Sequence, residues 1–273
     1  MSELPAAIVV VGPGRVGSAI VRAAASVGVS ARVVDRGGVA GGLGPPAPGI
    51  DRPLDRVAVG TPVIVCTRAD ALLDVIAATP AGNRPDLVFV QNGMVVPLLA
   101  SQGLPRPTLG LIYFAATSRT APITPGAPSL FHGPHAAAVA ALLVAAGVPA
   151  RAVPEWSEFA SEIGVKLAWN IVFGALGDRF DETVGETVAR RRATVEALAD
   201  EIAPVLAHAL DAAIPPGPLA DRLVAYSVGI PDFRASVKEL PWRNGWLSAY
   251  SEQVGIATPR HAALLADLGH APG

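Results

Sequence analysis

Apolar residues follow two rhythms along the chain, and the change between them falls near Pro154. Upstream, short β-branched runs alternate with Ala-rich stretches of helical spacing. Ala6 to Val11 is an unbroken apolar run that stops at Gly12, as a strand covered on both faces requires. Val16 to Val27 has helical spacing and Ser30 to Val34 reads as a second strand, so the chain opens as a βαβ unit. Gly37 to Pro53 is rich in Gly and Pro and reads as loop. Strand character resumes over Val57 to Cys66, interrupted at Gly60-Thr61-Pro62, and Ala69 to Ala78 reads as a helix. Strands are expected over Leu87 to Val90 and Leu109 to Ala115, and a hairpin edge over Ile123 to His132. A helix over Pro134 to Ala146 and a short strand over Ala150 to Val153 close this part.

Downstream of about Glu155 only the helical rhythm remains, over Trp156 to Leu176, Glu182 to Ala213, Pro218 to Tyr226, Ser236 to Val254 and Pro259 to Leu268. Pro204 is expected to kink or divide the second of these helices, and Pro241 the fourth. Thr258 and Pro259 suit the N-cap and first position of the last one.

The loop Gly12-Pro13-Gly14-Arg15-Val16-Gly17 has the spacing G-x-G-x-x-G. That pattern carries weight only between a strand and a helix, and here it has both. Gly12 permits the tight turn, Gly14 lets a pyrophosphate approach the backbone, and Gly17 allows close helix–strand packing. The helix start then offers free N–H groups to phosphate. Asp35 lies 18 residues after Gly17, near the place of the acid that bonds a ribose 2′-hydroxyl. Arg36 follows it, and Arg68 comes just after the strand ending at Cys66. Two guanidiniums there favour a 2′-phosphate, and so NADP(H) over NAD. The expected fold is an α/β Rossmann domain with a mainly parallel sheet over residues 1–154, then an all-α domain over 155–273.

Composition narrows the classes of function. Of 273 residues, 51% are apolar and 16% charged, so large cores of small side chains are available. A net charge of -2 with few aromatic residues gives no footprint for nucleic acid. The single cysteine, Cys66, rules out an intrachain disulfide and reads as a buried strand residue. The start Met-Ser-Glu-Leu-Pro lacks a basic n-region, and no uninterrupted apolar stretch reaches about 18 residues. Ala136 to Ala146 is the longest and is too short to span a bilayer, so a cytoplasmic protein without membrane contact is expected. The five histidines form no H-x-x-x-H pair with a carboxylate, and no metal site is expected.

In the helical part, Lys166 and Asn170 stand four apart, so both share one face of an otherwise apolar helix. A lysine in such surroundings has a tunable pKa and can give a proton to an oxygen gaining charge. The plainer reading is a surface lysine whose stem lies along apolar neighbours. A second polar cluster is Lys238-Glu239-Leu240-Pro241-Trp242-Arg243-Asn244-Gly245.

These segments, together with Thr67-Arg68-Ala69, Gln91-Asn92-Gly93-Met94 and Gly255 to Pro259, stand in the order found in ketopantoate reductases, and nearly the whole chain resembles that family. The resemblance implies a Rossmann domain, a helical domain and an active site in the cleft between them. It implies Lys166 as general acid towards a substrate ketone, Glu239 as the acid that contacts substrate and positions the site, and Asn92 beside nicotinamide and substrate. Asn170 matches a substrate-binding asparagine, Arg36 the arginine for the 2′-phosphate, and Arg68 a place usually held by lysine. For the serine that binds substrate carboxylate, Ser227 fits by its distance from Glu239, and Ser236 competes.

Three departures stand out: Gly174 replaces a second asparagine, Pro241-Trp242-Arg243 replaces an acidic, aliphatic run, and the segment from Gly37 to Pro53 looks short. The implied reaction is NADPH-dependent reduction of a 2-oxo acid such as ketopantoate. The alternatives are a related dehydrogenase for another small carbonyl or hydroxy acid, and a dinucleotide-binding regulator without chemistry. The long helices after Pro154 suit either a homodimer interface or a buried bundle.

Overall fold

The computed structural model describes residues 3–34, 54–214 and 216–270. The chain folds as two compact units, Met1–Gln91 with Val95–Glu155, and Asn92–Met94 with Trp156–Gly273.

Among the described residues of the first unit, seven strands form one sheet: β1 Ala7–Val11, β2 Ser30–Val34, β3 Val63–Val65, β4 Leu87–Phe89, β5 Thr108–Leu111, β6 Ser129–His132 and β7 Ala150–Ala152. Their order is β2-β1-β3-β4-β5-β6-β7, and every pair is parallel except β5 with β6. The order reverses at β1, which pairs with β2 on one side and β3 on the other. The carboxyl end of β1 is thus the switch point where open α/β sheets bind ligands. β1, β3 and β4 are almost wholly buried, as their Val, Ile and Leu runs demand. Helix α1, Arg15–Ser26, packs Ala19, Ile20, Ala23 and Ala24 against that sheet. The remaining helices of this unit are α2 Leu72–Ala78, α3 Val96–Ser101 and α4 Ala136–Ala145.

Several strands are shorter than the apolar runs that foretold them. The stretch from Val57 contributes only Val63–Val65 to the sheet, because Gly60-Thr61-Pro62 turns the chain first. The run from Leu109 gives β5, while Ala115 makes an isolated bridge to Thr124. The expected hairpin edge is not an edge: β6 lies between β5 and β7, and β7 takes the outside position.

In the second unit, α5 Trp156–Phe180 is the central element, with α6 Val184–Leu210 and α7 Pro216–Val228 packed on it. By length and composition alone α5 could cross a bilayer, but most of its residues are buried. Helix α6 runs on through Pro204, so the chain is not divided there. The irregular residue is Arg191 (φ -131°, ψ 23°), whose guanidinium reaches the buried carboxylate of Glu182 at 2.9 and 3.0 Å.

The fourth expected helix is also corrected. Ser236 to Glu239 is not helical; a 3₁₀ turn spans Leu240–Trp242, and α8 begins only at Asn244 and ends at Val254. Two glycines on α5 explain this. A Cβ at Gly177 would run into the carbonyl oxygen of Ala235, and one at Gly174 would sit 3.0 Å from that of Ser236. The bare helix face lets an extended segment lie directly on α5, where Val237 N–H donates to Asp178 at 2.8 Å. The last helix, α9 Pro259–Asp267, starts with Pro259 as expected, but Thr258 makes no capping bond through its side chain. That hydroxyl instead lies 3.3 Å from the hydroxyl of Ser251.

Gly177→Ala is therefore expected to lift the segment before Glu239 off α5 and to cost about 1–3 kcal/mol of stability. A urea unfolding curve reads this directly, and an unchanged midpoint would refute the close-approach argument.

Candidate functional site

The glycine loop sits where the sheet reverses. Gly12 N–H donates to Val34 O at 2.8 Å, which fastens the loop beside the end of β2. Gly17 has no room for a side chain, since a Cβ would run into the carbonyl oxygen of Gly12. Gly14 is the opposite case: a Cβ there would meet nothing within 4 Å. It is the N-cap of α1, whose first turn has neither a side-chain cap nor an acidic residue. Uncapped amides and a positive dipole end therefore face open space, as a phosphate group requires. Pro13, Arg15 and Val16 complete the turn, with Arg15 exposed.

Thr67, at the end of β3, adds a buried Oγ1 that makes no hydrogen bond among the described residues. These residues fit a dinucleotide's pyrophosphate. Arg68 follows, with its side chain 74% exposed and 3.7 Å from Asp70. Asp35 and Arg36 lie outside the described residues. Cys66 is a structural residue here, because burial pushes its thiol up to about 12.

The second unit holds a separate polar group on α5. Asn170 donates through Nδ2 to Lys166 O at 2.8 Å, a bond back along the same helix. Its Oδ1 accepts from Nη1 of Arg243 at 3.3 Å. Arg243 also donates through Nη2 to Glu239 Oε2 at 2.8 Å. Glu239 adopts a left-handed backbone (φ 50°), which bends the chain so that residues 239 and 243 pair across the 3₁₀ turn. The side chains of Arg243 and Glu239 are only 8% and 19% exposed. Asn244, fully buried, anchors the start of α8 by donating to Ile171 O at 3.1 Å.

Lys166 is half-buried, and its amine titrates at about 7 rather than 10.5, first because burial strips its solvent and second because the Arg243 charge repels a proton. The charge acting on this lysine is that of Arg243, while Glu239 holds Arg243. Such an amine exists in both protonation states at neutral pH, which suits proton donation.

Asn92–Met94 joins this second unit, and Met94 N–H donates to Trp242 O at 2.8 Å. The exposed Asn92 is thereby held two residues from a segment that carries Glu239 and Arg243. Ser227 is not brought into the group. It lies on α7, 1% exposed, accepting from Trp169 Nε1 at 3.0 Å and donating to Leu223 O at 2.8 Å. Its hydroxyl is engaged as both acceptor and donor inside the helical unit. Ser236 is half-buried on the extended segment beside Gly174. The place of the second asparagine is filled by that segment's backbone, so Gly174 has a structural cause. Arg243 is the member that the sequence reading missed. It entered there within the second polar cluster and as part of a departure, with no role of its own, although its position four after Glu239 was visible. Among the described residues no three His, Cys, Asp or Glu side chains gather as metal ligands.

No protein-family model and no curated protein sequence matches the chain. Solved structures do. A 2-dehydropantoate 2-reductase from Methylococcus capsulatus superposes with a TM-score of 0.74 at 19% identity, covering 98% of both chains. A D-mandelate dehydrogenase solved with NADH and anilino(oxo)acetate gives 0.72 at 14% identity, covering 96% of this chain and 97% of the other. A dimeric ketopantoate reductase from Staphylococcus aureus gives 0.68 at 13% identity, covering 96% and 97%. The chain thus has the fold of these enzymes, a Rossmann-type α/β sheet followed by a helical part.

The lowered amine makes a stability prediction. Between pH about 7 and 10.5 the unfolded chain holds a proton on Lys166 that the folded chain has released. Stability should therefore rise with pH across that window. Lys166→Met should flatten the rise, as read from urea midpoints at stepped pH. Equal slopes in both proteins would show that the amine is not desolvated.

Proposed function

We propose that the chain is an NADPH-dependent reductase of a small 2-oxo acid, with ketopantoate as the first substrate to test. The observation that carries this reading is the amine of Lys166, lowered to about 7 on a helix where Asn170, Glu239 and Arg243 meet. The fold neighbours support it, since they include 2-dehydropantoate 2-reductases and a dehydrogenase solved with NADH and an oxo acid.

A bound nicotinamide would supply the hydride that reduces the ketone carbon. Gly12, Gly14 and Gly17, with the amides of Arg15 and Val16, would hold its pyrophosphate, and Thr67 would offer its hydroxyl nearby. Arg36 and Arg68 are the proposed partners of a 2′-phosphate, and Asp35 of a 2′-hydroxyl. The protein's own chemistry then lies in Lys166. As hydride arrives, negative charge builds on the carbonyl oxygen, and the ammonium stabilises that charge and gives up its proton to form the alcohol. Glu239 positions Arg243, Asn170 contributes its amide, and Asn92 is the polar side chain assigned to substrate and nicotinamide. A homodimer is the proposed assembly, by analogy with the dimeric fold neighbour.

A second reading has an observation of its own. Gly174 lacks the asparagine that ketopantoate reductases carry one turn after Asn170, and backbone fills its place. That favours a 2-oxo acid of another shape, in the manner of the oxo acid bound to the D-mandelate dehydrogenase. Oxidation of NADPH and NADH should be followed with ketopantoate and a panel of other 2-oxo acids. Turnover is expected with one of them, and Lys166→Ala should lower kcat by about 10²-fold or more with dinucleotide affinity little changed. Tight dinucleotide binding without turnover of any carbonyl would instead identify a regulator.

A further inference from the structure

Arg243 is a buried charged residue of the polar group on α5 that the proposed chemistry leaves without a task of its own. Its side chain is only 8% exposed, and among the described residues it makes two hydrogen bonds, Nη2 to Glu239 and Nη1 to Asn170. Its Nε is buried and makes no hydrogen bond among the described residues. A guanidinium has more N–H donors than these two bonds use, set in a fork that matches a carboxylate.

Glu239 is the carboxylate that pairs with Arg243 here, and it occupies only one arm of the guanidinium. Apart from Ser236, the other groups offered for a substrate carboxylate are committed or absent. The Ser227 hydroxyl is bonded twice, Gly174 has no side chain, and the Asn170 amide is engaged at both ends.

We propose that Arg243 is the specificity-determining residue of the site, and that its free N–H groups bind the carboxylate of the 2-oxo acid. This rests on the reading of the site as a reductase. Glu239 is then a positioning residue, holding the guanidinium from the far side, with Asn170 steadying its other arm. The left-handed backbone at Glu239 serves the same end, because it lets a carboxylate four residues earlier face the guanidinium. The predicted selectivity is for anionic carbonyls over neutral ones of the same shape.

The test compares a 2-oxo acid with its own amide, a neutral carbonyl of nearly equal size. In Arg243→Met, kcat/KM for the acid should fall by about 10²-fold, mostly through KM, while that for the amide changes less than about threefold. The double variant Glu239→Gln/Arg243→Met removes both charges, so an unpaired buried carboxylate cannot be the cause, and it should show the same split. Arg243→Lys should recover part of the acid preference. Ser236→Ala, the competing carboxylate ligand, should leave the split intact.

Calorimetry with oxamate, a non-reacting 2-oxo acid analogue, reads binding without turnover. It should bind the wild type and lose most of its affinity in both Arg243 variants. Equal losses on acid and amide, or oxamate bound equally by wild type and Arg243→Met, would overturn the assignment while leaving the reductase reading standing. Absence of turnover with every carbonyl would overturn the reductase reading, and oxamate would still decide the role of Arg243.

Discussion

Taking a cation out of water is the constraint around which the helical unit is arranged. The amine of Lys166 pays for its position on α5 by losing proton affinity, and the nearby guanidinium deepens the loss. Arg243 is in turn tolerable in a dry place because Glu239 and Asn170 meet two of its arms. Remove that support and two cations would remain in poor solvent with little to offset them. The left-handed backbone at Glu239 and the 3₁₀ turn after it bring the carboxylate to the guanidinium four residues on.

Both units achieve close approach in the same way, by removing a side chain. In the sheet unit Gly17 lets α1 lie against the loop that precedes it. In the helical unit Gly174 and Gly177 let an extended segment lie on α5 with backbone in contact. The first case leaves helix amides uncovered, which suits an anion. The second delivers Glu239 and Arg243 to the helix that carries Lys166. One small residue type thus leaves helix amides uncovered in one unit and brings charged side chains together in the other.

The glycine loop was legible in sequence because its geometry is local: a strand, a turn and a helix within a few residues. Lys166 and Asn170 were legible as neighbours because helical spacing puts residues four apart on one face. The distance of Ser227 from Glu239 along the chain says nothing of Trp169, whose indole claims the hydroxyl from another helix. The helix expected from Ser236 failed for a similar reason. Its residues have helical spacing, but the bare face of α5 offers their backbone a better partner. Pro204 was read as a kink or a division, yet α6 continues through it, and its irregular residue is Arg191, where an ion pair to Glu182 acts. Arg243 was visible only as an oddity, since its meaning depends on partners brought together by folding.

The small excursion of Asn92–Met94 into the helical unit bears on how modular the protein is. Three residues from the middle of the α/β half belong to the other half, where the amide of Met94 is bonded to the carbonyl of Trp242. Cutting the gene at the obvious border would strand that hook on the wrong fragment and leave Trp242 O seeking another donor. The two halves are consequently not interchangeable cassettes. A chimera that swaps the helical half for a relative's must bring the matching hook with it, or redesign the turn that the hook now steadies.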